Sequence, residues 1–328
     1  MLNGRQSELL KLIVEDYVKT ARPVSSTSLC EVMNCSSATV RNEMSFLEEN
    51  GLIEKTHISS GRIPSEKGYR YYVDNIMKPK EITGEDMLKL QTIFHNNQLM
   101  LADYITKSVE IVSEMTSLTA IVLGSSSKEN KVSKIEVIPL NENSLVAIII
   151  TDKGHVEHKN INLTENVSIV DIKKTVDLIN KMIIGTPIDE VGTKLEYEVK
   201  PIIEKYIKQH EVLYNAFYNA FTDFTNSSYT MTGRQNILMQ PEFDDTEKIR
   251  DIINKFEDKE MVNSIKEDEN GINIYIGSEN EFDKDVTIIK TKYNINGEEG
   301  TIALIGPKRM EYDRVISLLD YIMKNIDN

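Results

Sequence analysis

The run 36–64 reads Ser36-Ser37-Ala38-Thr39-Val40-Arg41-Asn42-Glu43-Met44-Ser45-Phe46-Leu47-Glu48-Glu49-Asn50-Gly51-Leu52-Ile53-Glu54-Lys55-Thr56-His57-Ile58-Ser59-Ser60-Gly61-Arg62-Ile63-Pro64, and its period changes half-way. Up to Asn50 the apolar residues Val40, Met44 and Leu47 recur at i, i+4 and i+7, the spacing of one helix face. Ser36 or Ser37 is suited to cap that helix, and Gly51 is suited to end it. After Gly51 the pattern becomes a strand, Leu52 to Ile58, a turn at Ser59-Ser60-Gly61, and a short return strand at Arg62-Ile63-Pro64.

Upstream, Asn3 and Gln6 have capping-box spacing. Leu9, Leu10, Ile13, Val14, Tyr17 and Val18 continue a first helix that stops before Arg22-Pro23. A short second helix is expected from Ser25-Ser26-Thr27 to Met33, with a tight turn at Asn34-Cys35. Helix, helix, turn, helix and then a β-hairpin is winged-helix architecture. In such modules the third helix enters the major groove and its N-terminal half meets base edges. The outward stripe is Ser37, Arg41, Asn42 and Ser45. Arg41 and Asn42 have donors for bidentate reading of guanine or adenine. Ser37 and Thr39 sit where a helix start can meet phosphate. At the hairpin, His57, Ser60, Gly61 and Arg62 form the expected contact group, with Arg62 placed for a minor groove or a phosphate. Tyr69 and Tyr72 share the apolar face of a following helix, Ser65 to Met77, and are expected in the core.

The charge distribution agrees. The chain of 328 residues carries −14 overall, but residues 1–80 hold 11 basic and 10 acidic side chains while the remaining 248 hold 27 and 42. Phosphate repels the acidic remainder, so any nucleic-acid surface belongs to the first eighty residues. Two cysteines, Cys30 and Cys35, fit a reducing compartment and offer no disulfide framework. The longest apolar stretch, Leu145 to Ile150, is far short of a membrane span, so a cytoplasmic protein is expected. No cofactor or metal site is expected: His155-Val156-Glu157-His158 would send its histidines to opposite faces of a strand, and Gly306-Pro307-Lys308-Arg309 reads as a helix start. No nucleophile–base pair is evident, and the chain is read as a binding protein rather than an enzyme.

Beyond residue 80, a long helical stretch of about 85–115 precedes strands at 118–124, 133–140, 144–151 and 154–162. Helices follow at 168–184 and 194–224, then at 246–257 and 259–267. Strands return at 272–277, 285–294 and 300–306, before a terminal helix at 309–326. The economical reading is α+β, one antiparallel domain interrupted by a helical insertion. Its boundaries are 1–80 for the winged helix, 81–103 for a linker, 104–165 with 269–328 for the interrupted domain, and 166–268 for the insertion. Isolated small sheets are marginally stable, which disfavours two separate sheets.

Pro23-Val24-Ser25-Ser26-Thr27-Ser28-Leu29, Ser36 to Met44 and Leu47 to Leu52 resemble the N-terminal domain of HrcA, the family of heat-inducible transcription repressors of bacteria. The run His57 to Asp74 is the most specific stretch of the resemblance, with an echo at Ile276-Gly277-Ser278-Glu279-Asn280 and at Gly300 to Tyr312. The resemblance covers the whole chain, though 166–268 match only by pattern. It implies repression of groE- and dnaK-type chaperone operons through an inverted repeat, the CIRCE operator. It implies a winged helix, a GAF-like domain and an inserted dimerisation domain, with the chaperonin GroEL as modulator. An inverted repeat is matched by a two-fold protein. Ile203, Tyr206, Leu213, Phe217 and Phe221 are the expected homodimer seam. A ligand-sensing repressor is the rival, since GAF-like domains often bind small molecules.

Overall fold

The computed structural model describes residues 2–56, 61–94, 101–124, 131–140, 144–152, 156–163, 167–206, 211, 212, 214, 215, 217–219, 229–267, 269–295 and 298–326. It divides into two compact units, one made of 1–123 with 229–328 and the other of 124–228.

In the first unit, α1 (Gly4–Thr20) begins with the expected capping box: the Gln6 amide donates to Asn3 Oδ1 at 2.9 Å and the Asn3 amide donates to Gln6 Oε1 at 3.0 Å. The expected second helix is a chain of hydrogen-bonded turns over 26–34 instead. Its hydroxyls and thiol compete with the helix ladder: Ser28 Oγ donates to the Ser25 carbonyl at 2.8 Å and Cys30 Sγ to the Ser26 carbonyl at 3.1 Å. α2 (Ser37–Glu49) follows, capped by Ser36. Its far end is a Schellman closure. Gly51, at φ +70°, supplies the left-handed residue, and the Gly51 and Leu52 amides donate to the Glu48 and Leu47 carbonyls, both at 2.9 Å. β1 (Ile53–Lys55) and β2 (Arg62–Pro64) pair antiparallel with Lys55 opposite Arg62, and β2 also bridges Val24. α3 (Glu66–Asn75) comes next; Tyr69 and Tyr72 are buried, as their phase requires.

α4 (Gly84–Phe94) and α5 (Leu101–Thr116) lead into β3 (Thr119–Leu123). β3 belongs to a five-stranded antiparallel sheet whose other members lie far along the chain: β7 (Tyr229–Thr232), β8 (Ile272–Ile276), β9 (Val286–Ile295) and β10 (Glu298–Pro307), in the order β7-β3-β10-β9-β8. Alternation along β10 feeds two cores. Ile302 and Leu304 join the apolar side chains of the N-terminal helices and of the last helix, Tyr312–Ile326. Ala303 and Ile305 join Phe243, Ile252, Phe256 and Val262 on the opposite face.

The second unit is a three-stranded antiparallel sheet of β4 (Val132–Pro139), β5 (Ser144–Thr151) and β6 (Val156–Asn162), with β5 central. α6 (Ile169–Ile183), α7 (Ile188–Lys194), a π-helical turn at Leu195–Val199 and α8 (Lys200–Tyr206) bury one face of it. The edge strand β4 is blunted by α6, because the Asn180 amide group exchanges two 2.8 Å hydrogen bonds with the backbone of Ile135.

These units move the expected boundaries. The strands of 132–162 all fall within 124–228, while β3 and the helices of 246–263 belong to the first unit, the helices packing on the five-stranded sheet. Two sheets exist because helices cover the small one, which removes the instability an isolated sheet would have. The strand Tyr229–Thr232 pairs with β3 at the edge of the larger sheet.

Candidate nucleic-acid interface

Val40 and Leu47 are fully buried and Met44 nearly so, which turns Arg41, Asn42 and Ser45 to solvent. Arg41 Nε donates to Ser26 Oγ at 3.3 Å, a contact that aims the guanidinium while its Nη donors have no partner among the described residues. Two carboxylates of α2, Glu43 and Glu48, are ion-paired. Glu43 accepts from Gln6 Nε2 at 3.1 Å and lies 3.6 Å from Arg5, and Glu48 pairs with Arg62 and, at 3.8 Å, with Lys55. Lys67 Nζ covers the Asn50 carbonyl at 2.9 Å, at the negative end of α2.

Three expected readers have other positions. The Ser37 hydroxyl is buried and without a partner among the described residues, so it does not face a phosphate. Arg62 donates from Nε and Nη2 to Glu48 Oε2 at 2.9 and 2.7 Å, and its side chain is only 13% exposed. Its fork fastens the hairpin to α2, where sequence alone gave it a groove or a phosphate. Gly61 is buried, and a Cβ there would lie 2.7 Å from Pro23 Cβ and 2.9 Å from the Pro23 carbonyl, so the residue serves a close backbone approach. Thr39 shares a 2.9 Å hydrogen bond with Ser36 at the helix start. His57 and Ser60 lie outside the described residues.

Phe46 escaped the sequence reading. It is 38% exposed, one turn beyond Asn42 on the same face. Its phase was the available signal, since Val40, Met44 and Leu47 place residue 46 opposite the core. An exposed aromatic beside Arg41 and Asn42 suits contact with a thymine methyl.

Of the expected dimer seam, Ile203 is fully buried and Phe217 nearly so, both within their own unit's core. Leu213 and Phe221 lie outside the described residues, and for Tyr206 only the backbone is described. Ile203 and Phe217 thus face the inside of the unit. Among the described residues no helix is long and apolar enough to cross a membrane.

The model of the HrcA protein C-terminal domain matches residues 102–316, and that of the DeoR-like helix-turn-helix domain matches residues 5–62. The chain is 40% identical to the heat-inducible transcription repressor HrcA of Bacillus pumilus (strain SAFR-032), over 100% of this chain and 98% of the relative. It is 38% identical to the protein of the same name from Lysinibacillus sphaericus, over 98% and 96%. A crystal structure described only as that of a hypothetical protein superposes with TM-score 0.69 at 23% identity, over 99% of this chain and 98% of the other.

Proposed function

The chain belongs to the HrcA family of heat-inducible transcription repressors, and from that premise we propose that it binds the CIRCE inverted repeat as a homodimer, reading each half-site with Arg41, Asn42, Ser45 and Phe46. It is a DNA-binding transcription repressor of heat-shock genes. The observation that carries the proposed reading is the exposed Arg41–Asn42 pair on a capped helix, with Glu43 and Glu48 of that helix held in ion pairs. Exposed donors at this helix position are what a major-groove reader needs. A gel shift on a chaperone-operon promoter fragment tests it, with a scrambled repeat as control. Equal affinity for the two fragments would remove the operator from the reading.

The five-stranded body corresponds to the GAF-like domain, and 124–228 to the inserted dimerisation domain. With Ile203 and Phe217 buried inside, the seam moves to the other face of the three-stranded sheet. There Val146, Ile148 and Ile150 are half-buried, and Ile138 beside them is 49% exposed. Ile148→Glu is expected to give monomers on light scattering; an intact dimer would place the seam elsewhere. GroEL acts as modulator by restoring heat-opened repressor. Equal recovery of operator binding with and without GroEL after thermal challenge would remove it.

A further inference from the structure

Within the family-specific run His57 to Asp74, the side of α3 that carries Glu66 and Arg70 does not face the reading surface. It faces the body. Arg70, on α3, donates from Nε to Glu279 Oε1 at 2.9 Å, from Nη2 to the other Glu279 oxygen, and from Nη2 to the Ile274 carbonyl at 2.5 Å. Its Nη1 reaches Asp74 at 3.2 Å. One turn earlier Glu66 accepts from the Ser278 amide at 3.1 Å and from the Ser278 hydroxyl, and lies 3.9 Å from Lys308. Gly277, at φ +56°, makes room for it, because a Cβ there would collide with the Glu66 carboxylate. On the other side of α3, Arg309 donates from Nη1 to the Val18 carbonyl at 3.0 Å, at the end of α1. That carbonyl belongs to the last turn, which has no helical amide to serve it. The rest of the guanidinium is held by Glu242 at 2.6 Å and Gln240 at 3.1 Å. Between the two polar groups, Tyr69 meets the fully buried Tyr312 with ring centroids 6.0 Å apart.

One apolar cluster runs without a break from Leu10, Val40 and Tyr69 in the head to Ile276, Ile302 and Tyr312 in the body. A head used as a freely swinging module would need neither this shared core nor three arginine and glutamate clamps around it.

We propose that Glu66, Arg70 and Arg309 are positioning residues for operator binding: Glu66 and Arg70 seat the reading head on the segment Ile274–Glu279, Arg309 holds the end of α1, and together they fix the direction in which α2 leaves the protein. This rests on the inverted-repeat reading above. In a two-fold dimer, the direction of each reading helix sets the half-site separation that both heads can meet at once. A fixed seat therefore makes binding selective for spacing, and a loosened seat makes it tolerant.

The test uses the full-length protein and its Arg70→Ala and Arg309→Ala variants, with Arg70→Lys as the conservative control. Affinity is measured for the native repeat, for a repeat lengthened by about five base pairs, half a helical turn, and for a single half-site. Unchanged half-site binding shows a folded head. The native protein is expected to lose about tenfold or more on the lengthened repeat, and each alanine variant to lose less than about threefold, a difference of some 0.7 kcal/mol at 1.4 kcal/mol per tenfold. A second measurement does not depend on DNA. Spin labels at Glu49→Cys in the head and Glu257→Cys in the body, in a Cys30→Ser/Cys35→Ser background, are expected to give one narrow distance in the native seat and a broad distribution in the variants. Unchanged spacing selectivity together with an unchanged narrow distance overturns the proposal. Tighter binding of the native repeat by the variants also overturns it, since the seat would then be an inhibitory contact. Broadened distances in a protein that ignores the inverted repeat keep the seat and remove the operator reading.

Discussion

The fork of Arg62 on Glu48 separates a structural arginine from a DNA-reading one by measurement. Each charge-assisted hydrogen bond is worth about 1.5–3 kcal/mol where it is desolvated, and exposed ion pairs are worth only about 0.2–1 kcal/mol. Arg62 is 13% and Glu48 31% exposed, so the pair lies between those limits, and a coupling of about 1–2 kcal/mol is expected. The perturbation is the set Glu48→Gln, Arg62→Gln and the double variant. Native-state hydrogen exchange of the α2 amides reports opening of the head without requiring the whole chain to unfold in one step. The difference between the sum of the single effects and the double effect is the coupling. In parallel, the salt dependence of operator binding counts phosphate contacts at a slope of about 0.9 each. Relative to Glu48→Gln alone, the double variant is expected to leave that slope unchanged. A coupling below about 0.3 kcal/mol, with the slope falling by about one, would return Arg62 to the DNA and refute the structural assignment.

Arg41→Ala should weaken operator binding by about 1–3 kcal/mol and relax discrimination at one base position, because its Nη donors face solvent; unchanged titration curves would exclude it as a reader. Gly61→Val should lower the thermal midpoint, since even its Cβ lies 2.7 Å from Pro23 and the added methyls force the Val24–Arg62 bridge apart, at about 1–3 kcal/mol. Tyr69→Phe should leave the midpoint equal or higher, since the hydroxyl is buried without a partner among the described residues; a fall of more than about 1 kcal/mol would mean that the hydroxyl is bonded. The Arg70–Glu279 contact should be pH-sensitive only in acid. Burial pushes the Glu279 carboxyl up, but the hydrogen bonds from Arg70, the Ile276 amide and the Arg70 charge outweigh it and hold it below the usual carboxylate value. A depressed folded value gives stability that is present above the unfolded value and is lost as the pH falls through the folded one. Asp74, Glu66 and Lys308 surround the pair, so spin-label distances should stay constant from neutral to mildly acidic pH and broaden only below the carboxylate range; broadening near neutrality would refute this.

The head was legible because its signals are local. Capping boxes, the i, i+4, i+7 stripe and the glycine stop act within a few residues, and the structure returns them at Asn3–Gln6, Ser36 and Gly51. The second helix failed for an equally local reason, the hydroxyls of Ser25 to Ser28 satisfying the backbone themselves. The body is interrupted as expected, but the boundaries of the insertion moved, for a non-local reason. Nothing in the alternation of Thr119–Leu123 says that its partners are Tyr229–Thr232 and Thr301–Ile305 rather than the next strand along. Arg62 could be recognised as a cation but not as a paired one, because Glu48 reaches it only through the hairpin fold.

The positions of the paired acids connect the charge pattern to the seat. Residues beyond 80 hold 42 acidic side chains against 27 basic ones, and DNA is the most anionic surface such a chain meets. Repulsion between exposed charges falls off over a Debye length of about 8–10 Å in physiological salt, so its cost depends on where the acids stand relative to phosphate. The carboxylates that border the head, Glu66, Glu242 and Glu279, each have an arginine or lysine against them, and those cations are the ones that fasten head to body. The same contacts therefore pair acids at the junction of head and body and prevent rotation that would bring unpaired acids toward the DNA. Loosening the seat should then steepen the loss of affinity at low salt, where repulsion reaches furthest, while leaving affinity in high salt nearly native. A merely structural role for Arg70 and Arg309 would lower affinity by the same factor at every ionic strength.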